Sequence, residues 1–145
     1  QNNIRLHVIG RIERLPEDLQ AALHGLMAET ASNSALQLNL ALSYGGRDEL
    51  VRAAQAIAGR VRDGDLDPEA ITEETVAAHL DTRGIPDPDI LIRTGGDMRI
   101  SNFLLWQLAY SEIFGTPTLW PDFGREEFLQ IVKEFQLRER RFGRV

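Results

Sequence analysis

The chain has 145 residues, 43% of them hydrophobic, which suffices for one domain-sized core and does not describe a disordered segment. Its 16 basic and 22 acidic residues leave a net charge of −6, which excludes the broadly cationic surface that nucleic acid or an anionic membrane requires, so any anion must be caught locally. With no cysteine there is neither a disulfide framework nor a thiolate metal site, and no apolar run approaches the ~20 residues of a membrane span. Cytoplasm is the default expectation.

The first strand is predicted at once, where Ile4, Leu6 and Val8 alternate with Arg5 and His7 and Gly10 closes the run. A helix follows, with Pro16, Glu17 and Asp18 at its start and Leu19, Ala22, Leu23, Leu26, Met27 and Thr30 on one stripe. Leu36, Leu38, Leu40 and Leu42 mark a second alternating strand ending in "YGGR", Tyr44 to Arg47. The next helix carries Asp48 and Glu49 in its first turn, suited to the positive end of the dipole, with Leu50, Ala54, Ile57, Ala58 and Val61 inward. From Arg62 to Asp89 the composition turns acidic and rich in Gly and Pro, around a short helix predicted over Glu73 to Leu80. Ile90 to Ile92 reads as an apolar strand, Asn102 to Tyr110 as a helix, Thr118 to Trp120 as a last short strand, and "PDFGREEF" opens a final helix with Phe128, Ile131, Val132 and Phe135 inside.

Strands alternating with helices imply an α/β fold, a parallel sheet with helices on both faces, spanning residues 1–145 as a single domain fragment. Without an initiator Met, and with a strand beginning within four residues, Gln1 reads as a cut edge of a longer protein. Ligands of open α/β sheets gather outside the carboxyl ends of the strands, where the "YGGR" and "RTGGDMR" loops are expected.

The second of these loops carries the chemistry. Arg93 ends the strand, Gly95 and Gly96 permit close backbone approach, and Arg99 returns just before Ser101 and Asn102, either of which can cap the next helix. Paired guanidiniums, a hydroxyl and a helix amino end suit a phosphate or diphosphate. Alternatively, the arginines pair with neighbouring carboxylates on an ordinary surface loop. Glu112, amid apolar residues, admits two readings: an ion pair with an arginine, or a share in a hard divalent cation such as Mg²⁺. The 102–110 helix is apolar on nearly every side and needs cover all round, from the fold itself or from a second subunit. His7, His24 and His79 lack metal-ligand spacing and read as structural.

"DILIRTGGDMRISNFLLWQLAYSEI", with "LWPDF", "LNLALSYGGRDELV" and the terminal "RERRFG", closely resembles the cis-prenyltransferase family over essentially the whole chain. The resemblance implies the C-terminal part of the cis-prenyltransferase fold and an Mg²⁺-dependent enzyme. Such an enzyme condenses isopentenyl diphosphate with an allylic diphosphate such as farnesyl diphosphate, giving a Z-polyprenyl diphosphate of the undecaprenyl type. By the same resemblance Arg93, Arg99, Ile100 and Ser101 hold the diphosphate of the incoming unit, Glu112 is the metal-associated carboxylate, and Arg141 and Gly143 form an Arg-x-Gly element reaching a homodimeric partner's site. A peripheral membrane contact through the product also follows. The family's Asp-Gly-Asn-Gly-Arg-Trp loop, which binds the allylic diphosphate and supplies a metal-binding Asp, has no counterpart here; nor has an Asn associated with deprotonation. No catalytic residue is therefore assigned within 1–145, and the chain alone is expected to be inactive. A non-catalytic partner subunit is the competing reading.

Overall fold

The structure, a computed structural model, describes residues 2–138. The chain divides at Pro86/Asp87 into two compact units. In the first, strand β1 (Ile4–Gly10) leads through helix α1 (Glu17–Thr30) to strand β2 (Leu36–Leu42). The two strands pair in parallel, Ile4 opposite Leu36 through Gly10 opposite Leu42, as a βαβ connection demands. Helix α2 (Gly46–Arg62) starts directly after the "YG" turn, and a short helix α3 (Glu73–Ala77) follows, closed at its start by a reciprocal Thr72–Thr75 capping box. The core of this unit is Val8, Ile9, Leu23, Ala53, Ile57 and Leu80.

Gly10 has a steric reason to be glycine. Its φ is +101°, and a Cβ there would run into the Leu42 carbonyl and lie 2.9 Å from the Tyr44 Cβ. Its N–H donates to Asp81 at 3.0 Å. Gly10→Ala is expected to destabilise the chain by at least about 2 kcal/mol, read as a lowered urea midpoint with unchanged slope.

In the second unit, strand β3 (Ile90–Arg93) pairs in parallel with strand β4 (Glu112–Gly115), and helix α4 (Arg125–Leu137) follows. Leu91, Leu108, Phe114 and Ile131 are buried here. Two expectations are corrected. The helix over Asn102 to Tyr110 does not form: Ser101, Asn102 and Leu104 have φ of +50°, +62° and +43°, and the segment is a succession of turns. Its amides reach back mostly three residues, as in Phe103 to Ile100 and Ala109 to Trp106, with Leu108 to Leu104 as a four-residue step. Left-handed residues interrupt the regular register that apolar content alone cannot impose. The last strand also lies earlier than expected, at Glu112–Gly115 and not at Thr118 to Trp120. Pro117 and Pro121 bracket the latter, and proline cannot donate to a ladder, so Trp120–Asp122 closes a 3₁₀ turn instead.

Candidate diphosphate-binding site

The turn after β3 is braced from within. The Thr116 N–H donates to the Arg93 carbonyl at 2.8 Å, the Gly95 N–H to Thr118 at 2.8 Å and the Gly96 N–H to Thr116 at 2.9 Å. Gly95 and Gly96 have φ of +84° and +81°, the left-handed conformation that such a turn requires. The glycine amides are thus spent on the 116–118 segment, which corrects the expectation that they face a ligand. Thr116, itself buried, donates its hydroxyl to Glu127 of α4, tying the brace to that helix. Gly115 leaves the space that Met98 fills, since any Cβ there would collide with the Met98 sulfur.

This rigid turn presents Arg93 at the strand exit. The Arg93 Nε is buried and has no hydrogen-bond partner among the described residues. A buried donor left unsatisfied costs about 1–3 kcal/mol and calls for a ligand, an ion or water. Arg99 stands farther out, its side chain 69% exposed, with Nε and Nη2 at 3.2 and 2.6 Å from one Asp97 oxygen. That hydrogen bond from Arg99 holds the Asp97 carboxyl below its usual range. An exposed pair of this kind is worth little, and a diphosphate with more charge and more acceptors can take Arg99 from it. Ile100 and Ser101 follow on the exposed rim, Ser101 in the left-handed region instead of at a helix cap. The helix amino end expected to complete the clamp is therefore absent, and the anion-binding capacity rests on the side chains.

Glu112 begins β4. The parallel register sets it beside Ile90, while Arg93 lies beside Gly115, so the two mark opposite ends of the strand pair, on the order of 10 Å apart along the strands. The Glu112 carboxylate accepts from Arg138 at 3.0 Å, and the same guanidinium lies 4.1 Å from the centre of the Phe114 ring. Among the described residues no group of three or more His, Asp or Glu gathers as a metal centre. Arg141 and Gly143 lie outside the described residues.

The most buried charged group was not anticipated from the sequence. Glu49, 1% exposed, accepts the Tyr44 hydroxyl at 2.6 Å and the Asp81 N–H at 2.8 Å. Asp81 in turn takes both Nη atoms of Arg52 at 2.8 Å, and Arg52 also reaches Asp48 at 3.1 Å. These bonds, Asp81 foremost, push the Arg52 guanidinium still further up, and Arg52 holds Asp48 below the carboxylate range. The network locks the "YGGR" turn at the carboxyl ends of β1 and β2.

Parallel strand pairs with an arginine-bearing glycine turn at a strand exit define an α/β protein whose site suits an anionic group. The chain belongs to the family described as putative undecaprenyl diphosphate synthase, whose family model matches residues 1–143. It is 52% identical over 144 residues to an isoprenyl transferase of Porphyromonas gingivalis and 50% identical over 142 residues to one of Heliobacterium mobile, covering 99% and 98% of this chain. It spans 57% and 55% of those relatives, corresponding to their C-terminal portion. Among solved structures, lavandulyl diphosphate synthase of Lavandula x intermedia in complex with dimethylallyl diphosphate superposes with a TM-score of 0.96 at 42% identity, over 99% of this chain and 62% of that one. A probable undecaprenyl diphosphate synthase of Campylobacter jejuni does so with 0.85 at 41% identity, over 99% and 64%. The α/β class and parallel strand pairing expected from the sequence stand.

Proposed function

We propose that the protein containing this chain is a cis-prenyltransferase. It condenses isopentenyl diphosphate with an allylic diphosphate such as farnesyl diphosphate into a Z-polyprenyl diphosphate, and this chain supplies the isopentenyl half of the site. The observation that carries the reading is the buried, unpartnered Nε of Arg93 at the exit of β3, in a family of prenyltransferases. Arg93 and Arg99 grip the diphosphate, Arg99 exchanging Asp97 for phosphate oxygens, while Ile100 and Ser101 border the bound group.

Mg²⁺ is the proposed cofactor, and when bound it neutralises diphosphate charge. Glu112 fits such an ion as a single carboxylate, the remaining oxygens coming from substrate and water, since Mg²⁺ accepts one or two carboxylates. Arg138 must then release it. A homodimer, with Arg141 and Gly143 as the partner-site contact, and a cytoplasmic location touching the membrane through the product complete the proposal; no described helix is long and apolar enough to cross a membrane.

The competing partner-subunit reading is not favoured, given roughly 50% identity to isoprenyl transferases and the presence of Arg93, Arg99, Ser101 and Glu112. The test is direct: the complete protein, given Mg²⁺, labelled isopentenyl diphosphate and farnesyl diphosphate, is expected to yield long-chain product with Z double bonds. Absence of elongation, together with activation of a separate prenyltransferase on mixing, establishes the partner-subunit role instead.

A further inference from the structure

A cavity of about 360 Å³ opens beside β1, between that strand, α1 and the turn at 83–85. Ligand pockets run about 300–1,000 Å³, so it has room for a small molecule. Arg5 and His7 line it from β1 and Arg83 from the turn, with Met27 and Ile85 forming apolar wall. Among the described residues no carboxylate lines it.

Among the described residues the charges here have no carboxylate partner, unlike those of Arg11, Arg52, Arg62, Arg99 and Arg138. The Arg5 guanidinium donates to the Gln37 amide oxygen, which leaves its charge in place. Arg83 has no ion pair and no side-chain hydrogen bond among the described residues. Two guanidiniums without a carboxylate partner among the described residues, lining one cavity in a chain of net charge −6, mark a local positive potential.

His7 supplies the second, independent observation. Its ring is part-buried and its Nδ1 is sealed with no hydrogen-bond partner among the described residues. The same residue lines the cavity between the two arginines' elements, so an unsatisfied polar side chain stands beside the uncompensated charge.

We propose that this cavity is a second anion site, taking a small phosphorylated molecule through Arg5 and Arg83, with His7 on its wall. It shares no residue with the turn after β3, so it stands or falls separately from the diphosphate site. Inorganic phosphate is the probe, titrated into the full chain at constant ionic strength while the histidine ring resonances are followed by ¹H–¹⁵N NMR. His7 is expected to shift saturably, His24 and His79 to stay in place, and Arg83→Gln to weaken the response at least fivefold. Arg93→Met is expected to leave it unchanged. Because Arg83 is exposed, that variant keeps the fold, checked by an unchanged amide spectrum. A shift that rises linearly without saturating, or one of equal midpoint in Arg83→Gln, overturns the proposal.

Discussion

Replacing Arg93 by Met is expected to weaken isopentenyl diphosphate binding by about ten- to a hundredfold and to leave the protein as stable as before, or slightly more so. The two halves of that result have one cause. A hydrogen bond to a charged group contributes about 1.5–3 kcal/mol, which is the affinity lost. In the unliganded fold, however, the Arg93 Nε already lacks a partner, so its removal sacrifices no side-chain bond there and relieves a buried orphan. On the proposed reading, arginine at that position serves the ligand at a cost to folding, as active-site residues commonly do. Arg99→Ala is expected to lose affinity likewise, with no change in melting temperature beyond a degree or two, because its side chain is 69% exposed and its ion pair with Asp97 is an exposed one. Calorimetric titration with isopentenyl diphosphate, beside a thermal melt, measures both. A large drop in stability with unchanged affinity in Arg93→Met would assign the residue to the fold and not to the ligand.

Glu49→Ala is expected to cost about 3 kcal/mol, within a range of roughly 2–5. The substitution leaves the Tyr44 hydroxyl and the Asp81 N–H without their acceptor and opens a void where a 1%-exposed side chain had been. Glu49→Gln, which preserves the shape and one acceptor, is expected to cost about half as much. Urea unfolding followed by circular dichroism ranks the two. An Ala variant within 1 kcal/mol of the parent would mean that the network around Asp81 and Arg52 holds the turn without Glu49.

Glu49 also shows where periodicity stops being informative. In the sequence it is an acid in the first turn of a helix, the position where a carboxylate ordinarily faces solvent and meets the dipole. Nothing local distinguishes a solvated acid from one bonded to a backbone amide over thirty residues away, because that contact exists only once the segment at Asp81 has folded back onto α2. The same limit applies to apolar stripes. Leu19 and Leu26 sit on the expected face of α1, yet they are 42% and 48% exposed, while Leu23 between them is 6% exposed. A 3.6-residue period names the face that can be buried and not what covers it.

Strands were easier to read, because alternation in "IRLHVIG" and "LQLNLAL" marks two faces that a one-residue slip would exchange, and Gly10 marks a stop. The segment from Ser101 to Tyr110 was the hardest. Its composition favours a helix, but three left-handed residues turn the chain before one can propagate, and propensity carries no trace of them. At the candidate site, the types and order of Arg93, Gly95, Gly96 and Arg99 were legible. That the glycine amides are consumed by Thr116 and Thr118 was not, since it depends on where the next strand runs.

Arginine side-chain ¹H–¹⁵N spectra recorded during titration with isopentenyl diphosphate probe the guanidinium clamp at its atoms. The Arg93 Nε–H signal should move downfield to saturation and exchange more slowly with solvent, and Arg99 should shift in step as it leaves Asp97. If the ligand binds while both signals stay where they were, the turn after β3 is not where its diphosphate rests.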